Sequence, residues 1–372
     1  MKKRKPIFRA DHVGSLLRPA VIKDARKARF QDGTIGAEEL SRIEDAAIRQ
    51  AVDIQQAAGL KAVTDGEYRR SFWHYDFLGH LTGFELVERD KGFKFQGAQL
   101  RPVFPTIPGM LDFPADHPML PHFSFLASVA NVQPKISIPG PSCCHFRTAV
   151  DDIGPDEYQD HEALFADITR TYAKAVQAFY DAGCRYLQMD DIFFAYLCDP
   201  KIRAEKHSQG MDPDWLVTRY AAMMHGAIKD RPADMTVAMH LCRGNFQSTW
   251  VANGAYDPVA EAIFTQTGID VFFLEYDSHR AGGLEPLGLL PEGDQRVMVG
   301  FVTTKSGKLE TVDELCRKFD VAAKYADLDQ LGIAPQCGFA STEEGNKLSE
   351  DQQKHKLELL VKTAERIWGT LE

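Results

Sequence analysis

One unit recurs along this chain and limits what it can fold into. A helical stretch ends at a glycine, a short apolar run follows, and polar residues come directly after the run. The unit appears at Gly59, where Leu60 to Val63 runs into Thr64-Asp65-Gly66-Glu67, and at Gly183, where Tyr186-Leu187-Gln188-Met189 leads to Asp190-Asp191. It appears again at Gly268, where Val271 to Leu274 leads into Glu275, and at Gly332, ahead of Cys337. The glycine reads as a helix C-cap. The apolar run has no polar alternation and reads as a strand buried on both faces, as a parallel sheet requires. Counting such runs near residues 8, 60, 135, 186, 236, 271, 297 and 332 gives eight. Helical periodicity over Ala37 to Ala58 and near 157–182, 213–230, 311–326 and 350–369 fills the intervals. Eight such units predict an α/β chain closed into a (β/α)8 TIM barrel, one domain over 1–372, with an open doubly wound sheet as the alternative. Active sites of such barrels lie at the C-terminal ends of the strands, where the polar residues of each unit fall.

The stretch 78–133 does not fit a simple strand–helix unit. It is rich in Phe, Pro and Gly, with an alternating piece at Gly92-Phe93-Lys94-Phe95, and predicts an insertion after the second strand. Such an insertion is either a lid over the barrel mouth or a passive surface excursion.

Composition narrows the partners. A hydrophobic content of 44% and a charged content of 26% are those of a globular chain. A formal charge of −10 argues against nucleic acid or an anionic membrane as the main partner. Met1-Lys2-Lys3-Arg4-Lys5-Pro6 has the charge of a signal peptide's first part, but no apolar core follows. No window approaches the ~18 uninterrupted apolar residues of a transmembrane helix. Seven cysteines, an odd number in a long chain, suit reduced thiols and predict a cytoplasmic protein. A homo-oligomer stays open.

The chemistry gathers around Met239-His240-Leu241-Cys242-Arg243-Gly244. The run Met235 to Met239 reads as a buried strand, and residues i and i+2 of a strand point to one side, so His240 and Cys242 face a common space. Glu275 interrupts an apolar run, and Cys337 ends another. One imidazole, two thiolates and a carboxylate form a donor set for zinc. Each also has an ordinary reading: a buried Cys as a small hydrophobe, a strand His as hydrogen-bonded core. A carboxylate in an apolar strand must find a cation or a hydrogen-bonded partner, because burying an unpaired charge is very costly.

Gly14-Ser15, Asp65-Gly66-Glu67, Gln188-Met189-Asp190-Asp191, His240-Leu241-Cys242, Glu275 and Gln336-Cys337-Gly338 occur in an order that resembles cobalamin-independent methionine synthase. The likeness is closest to short, single-barrel relatives of that enzyme's catalytic C-terminal half, and runs from His12 to Trp368. The resemblance implies zinc held by His240, Cys242, Glu275 and Cys337, and the amino-acid end of homocysteine held by Ser15, Glu67 and Asp190. It implies methyl transfer from 5-methyltetrahydrofolate, or another methyl carrier, to a zinc-bound thiol. The donor set agrees: with about −3 of formal ligand charge, such a zinc is a poor hydrolytic Lewis acid but keeps a thiol ionised. The alternative is that Glu67 and Asp190 pair with Arg69, Arg70, Arg185 or Lys305, and Ser15, taken alone, is a turn residue.

The chain also departs from the family. The tryptophan that stacks on folate after Gly140-Pro141 is absent, and Phe146 is the substitute expected, with a core role as the alternative. Where the family has a histidine that assists methyl transfer after Gly300, the best match is Lys305, with a solvated loop lysine as the alternative, and His279 is a further candidate acid. The competing functions are a transferase alkylating another thiol, as in relatives that open epoxides with coenzyme M, and a non-catalytic zinc protein that binds thiols. Retention of Ser15, Glu67 and Asp190 favours an amino-acid thiol, because coenzyme M has no ammonium.

Overall fold

The computed structural model describes residues 7–89 and 103–372, together with the backbone of 94–95 and 98–99. Its parallel strands, numbered here in chain order, are β1 (Ala62–Val63), β2 (Ile136–Pro139), β3 (Tyr186–Asp190), β4 (Thr236–Leu241), β5 (Val271–Glu275), β6 (Arg296–Val302) and β7 (Leu331–Pro335). β2 to β7 form one six-stranded sheet in chain order, parallel throughout. β1 pairs in parallel with Gln133–Pro134, directly ahead of β2. At the other edge, Ala10 bridges Ile333 of β7, also in parallel. Seven of the eight expected runs are therefore strands in the predicted order, and the run near residue 8 contributes a single parallel bridge at Ala10. Between the Ala10 edge and the β1 edge the contacts are hydrogen bonds rather than a ladder: Leu16 N–H to the Gly66 carbonyl (3.0 Å) and Thr64 Oγ1 to the Gly14 carbonyl (2.6 Å).

Helices Ala37–Ala57, Met119–Val129, His161–Asp181, Pro213–Ile228, Asp257–Gln266 and Val312–Ala322 precede strands of the sheet, and Glu350–Trp368 follows the last. Between β5 and β6 there are only two 3-10 turns, His279–Ala281 and Glu285–Leu289. The helix His161–Asp181 buries Leu164, Phe165, Ile168, Tyr172, Ala175, Val176 and Phe179, the face read from the sequence. Gly59 (φ 94°), Gly183 (φ 97°) and Gly268 (φ 74°) follow their helices in left-handed conformations, as a helix end favours. Gly332 does not: it lies inside β7, where a Cβ would come within 2.5 Å of Met298 Sδ. Close packing of the sheet's inner face, not a helix end, is what requires glycine there.

The described part of 78–133 contains a hairpin pairing Glu85–Glu88 with Val103–Thr106 and the helix Met119–Val129. It packs through Phe77, Phe113 and His117 towards Tyr172 and Phe179 on the outer layer. Gly92 and Phe93 of the alternating piece lie outside the described residues; Lys94–Phe95 pairs antiparallel with Ala98–Gln99. No described helix is long and apolar enough to cross a membrane.

The sheet's inner face carries Ala62, Tyr186, Ala238, Val271, Phe273, Met298 and Ala334. Among these side chains sits one ion pair, Lys135 Nζ to Asp11 Oδ1 at 2.8 Å, with both side chains 0% exposed. Lys135 also donates to the His12 carbonyl, and its ammonium lies 4.6 Å from the Phe273 ring centre. The Tyr186 hydroxyl donates to the other Asp11 oxygen (2.7 Å). Breaking a buried pair by removing one partner typically costs about 3–5 kcal/mol. Lys135→Met is expected to lose about that much in urea unfolding, with part recovered in the double variant Asp11→Asn/Lys135→Met. A loss under ~1 kcal/mol in the single variant, the size of an exposed pair, would show that the pair does not fasten the first strand to the interior.

Candidate metal centre

The ends of the parallel strands bring the chemistry together. His240 is in β4, Cys242 lies one residue past it, and Cys337 lies two past β7. One ligand atom from each of His240, Cys242 and Cys337 lies within 4.8 Å of the others, and all three residues are buried. Both ring nitrogens of His240 are buried with no nitrogen or oxygen partner, and the imidazole has only the Cys337 sulfur beside it. An imidazole in that condition costs free energy unless something else takes its lone pair. The two sulfurs behave as a pair. The Cys337 thiol is held well below its ordinary value, first by a hydrogen bond from Cys242 and then by His240. The Cys242 thiol is pushed well up by the same shared hydrogen bond and by burial. A buried imidazole facing two thiols that share a proton fits a soft or borderline cation such as zinc.

Glu275, the expected fourth donor, is not part of that cluster. It is the last residue of β5 and fully buried, and both of its oxygens are occupied. Oε1 accepts from the Arg280 guanidinium at 2.7 Å, and Oε2 from the Arg243 N–H at 3.2 Å. The partner that a buried carboxylate requires is here an arginine.

A cavity of about 560 Å³, its open mouth included, is lined by His240, Cys242 and Cys337 and also by Ser15, Glu67 and Asp190. The three residues expected at the amino-acid end of a substrate thus share one space with the ligand cluster. Glu67 adopts φ 62°, a left-handed conformation that costs a non-glycine residue about 1–3 kcal/mol. Its Oε1 accepts from Ser137 Oγ (3.0 Å), while Oε2 has no hydrogen bond and lies 3.7 Å from Arg70. The Arg70 pairing foreseen as the ordinary role is therefore present, but loose. Burial raises the Glu67 carboxyl above the usual range, with Arg70 and Arg18 opposing. Asp190, beside His240 in the sheet register, is pushed up to about 7 by burial, against the pull of His240 and with Glu67 adding to the rise. Two buried carboxyls that resist ionisation when the cavity is empty are a receptive place for a cation. Ser15 accepts from the Ala340 N–H (3.2 Å) and approaches so near Gly338 that a Cβ there would sit 1.9 Å from Ser15 Oγ. The glycine after Cys337 is what lets the first strand's end meet the last.

Three expected site residues fall elsewhere. Phe146 stacks on Phe193 (4.3 Å between centres, 17° apart) and lines a neighbouring cavity of about 1560 Å³, open solvent included. It is turned there by the 3-10 turn Pro141–Cys144 that follows β2. Lys305 donates to the Gly244 carbonyl (3.1 Å), Asn245 Oδ1 (3.2 Å) and the Thr249 carbonyl (3.2 Å), so its ammonium holds the loop after Cys242. His279 lines a groove on the outer side, with Lys308 and Glu310, and does not reach the metal cavity. The sequence reading passed over Phe72, Trp73, Phe246, Arg147 and Tyr196, which wall the cavity. Only Arg147 has a sequence signal, as the residue directly after Phe146.

A family model described as the catalytic domain of cobalamin-independent synthase matches residues 9–366. The chain belongs to that family. Membership supports a methyltransferase role. An uncharacterised Bacillus subtilis protein, YxjG, is 46% identical, over 99% of this chain and 97% of its own. The crystal structure of a candidate vitamin-B12-independent methionine synthase from Listeria monocytogenes superposes with a TM-score of 0.78 at 38% identity, covering 98% of this chain and 99% of that one. A B12-independent methionine synthase from Shewanella sp. W3-18-1, solved with selenomethionine, matches with a TM-score of 0.70 and 22% identity over 97% and 98% of the two chains. At that identity the second structure speaks for the fold alone.

Cys337→Ser and His240→Ala are each expected to lose bound zinc, measured by metal analysis after dialysis against a weak chelator, while the starting protein keeps about one equivalent. Stoichiometric zinc in Cys337→Ser would remove that residue from the ligand set.

Proposed function

We propose that the chain is a zinc-dependent S-methyltransferase that makes methionine from homocysteine. The observation that carries this reading is that a buried His–Cys–Cys cluster opens into the same cavity as Glu67 and Asp190. Zinc bound there supplies an ionised thiol at neutral pH, and the thiolate is the nucleophile for alkylation. The chain's own residues then place the substrate. The ammonium of an amino-acid thiol fits between Glu67 and Asp190, where its charge would draw both carboxyls back towards ionisation. Ser15, on the same wall, offers its hydroxyl to the carboxylate. The fold belongs to the same reading: eight parallel runs, joined at the last seam by the Leu16 and Thr64 hydrogen bonds, make a closed (β/α)8 barrel whose strand ends carry the site.

The donor is methyltetrahydrofolate or another methyl carrier, and the neighbouring cavity behind Arg147 and Tyr196, which line both spaces, is where it enters. Phe146 and Phe193 form an aromatic surface there. The Shewanella relative was solved with selenomethionine, a ligand of the product's class. Coenzyme M as acceptor is disfavoured, because it brings no ammonium to meet Glu67 and Asp190. A purely structural zinc is disfavoured because the cluster opens on a cavity.

Glu67→Gln keeps size and backbone but removes the charge. It is expected to retain zinc and to weaken homocysteine binding by about tenfold or more, the worth of a charged hydrogen bond. Calorimetric titration with homocysteine checks this, and unchanged affinity would remove Glu67 from the substrate site.

A further inference from the structure

Arg18 is almost wholly buried, at 3% exposed, and the methyl-transfer reading gives it no task. It comes three residues after Ser15, just ahead of the helix Ala20–Phe30. Its two terminal nitrogens divide between two loops. Nη2 donates to the carbonyls of Glu67 (2.8 Å) and Arg70 (2.9 Å), on the loop after β1. Nη1 donates to those of Ala340 (3.0 Å) and Thr342 (3.2 Å), on the loop after β7. The cation thus grips main chain on both sides of the first strand.

That place matters. Between the Ala10 edge and β1 no ladder forms among the described residues, so strand pairing does not set where the loop after β1 stands. Glu67 sits on that loop at φ 62°, a conformation that persists in a non-glycine residue only when its surroundings hold it. Its own carbonyl is one that Arg18 takes. On the other loop Arg18 takes the carbonyl of Ala340, whose N–H meets Ser15 Oγ at 3.2 Å. One planar group therefore ties the backbone that aims the Glu67 carboxylate to the backbone that Ser15 rests against.

We propose that Arg18 is a positioning residue that fixes the spacing between Glu67 and Ser15, and so selects thiols that carry an α-amino-acid end. The inference deepens the homocysteine reading and rests on it. The ammonium and carboxylate of an amino acid stand on one carbon, so their two holders must keep a matching distance, and such sites work only when held to within about half an ångström. A lysine in place of Arg18 would keep a positive charge near Glu67 but not the reach. An ammonium donates from a single point, whereas the guanidinium fork serves two pairs of acceptors on separate loops at once.

The test compares two thiols on the full, zinc-loaded chain: homocysteine, and 1-propanethiol, which keeps the thiol and carbon chain but lacks the amino and carboxyl groups. Binding is read by calorimetric titration and zinc by metal analysis. Arg18→Lys is expected to weaken homocysteine about tenfold or more, the scale of a charged hydrogen bond. It should shift propanethiol by less than about twofold, within the range of independent sites, and leave the zinc content unchanged. In the Glu67→Gln background the same substitution should change homocysteine affinity by less than about twofold, because spacing matters only while both ends are held. Arg18→Gln serves the same comparison should the lysine variant not fold. Equal weakening of both thiols, or loss of zinc, would make Arg18 a general fastener of the rim and overturn the proposal. So would unchanged homocysteine affinity in Arg18→Lys, or a loss that persists undiminished beside Glu67→Gln. Failure of the unmutated protein to bind homocysteine would overturn the substrate reading itself, a different result from any of these.

Discussion

A parallel sheet delivers the carboxyl ends of all its strands to one rim, and everything chemical in this chain depends on that. His240, Asp190 and Glu275 end or nearly end their strands, and Cys242 and Cys337 follow theirs by one and two residues. Ser15 and Glu67 come just after the two short outer runs. Residues spread over more than three hundred positions thus meet because each strand contributes its last side chain to the same place. The geometry also explains why two thiols, an imidazole and several carboxyls can be buried together: the rim is closed by loops but lined by polar atoms.

Buried charge is managed in two separate ways. On the inner face, Lys135 and Asp11 satisfy one another completely, with Tyr186 and the His12 carbonyl filling the remaining positions. That network is closed and has no room for a ligand. At the rim the polar groups are left open: His240 has only the Cys337 sulfur beside it, Glu67 keeps one oxygen without a hydrogen bond, and burial pushes Asp190 up to about 7. Polar groups in that state are what a cavity retains when a cation and an ammonium are its proper contents.

Much of this was legible in the sequence. The eight runs could be counted because a strand covered on both faces shows an unbroken apolar stretch, and His240-Leu241-Cys242 could be read because a strand repeats every two residues. What could not be read lies where the chain leaves regular structure. Arg280 reaches back over five residues of irregular loop to take Glu275, and no periodicity announces that contact. Phe146 follows a 3-10 turn that aims it at the neighbouring cavity. Lys305 looked like a substitute acid because its position matched, but its three acceptors lie on a loop about sixty residues earlier in the chain. Gly332 has the sequence context of a helix end, but glycine serves two purposes, and only packing against Met298 distinguishes them.

The central claim is that a zinc-held thiol accepts a methyl group while Ser15, Glu67 and Asp190 hold the amino acid that carries it. Its most direct test is a methyl-transfer assay on zinc-analysed protein with homocysteine and 5-methyltetrahydrofolate bearing one or three glutamates, with methylcobalamin as a second donor. Methionine formed in proportion to bound zinc, with coenzyme M giving no methylated product, is the result expected. Zinc-replete protein that fails to bind homocysteine, or that methylates coenzyme M as readily, would contradict it.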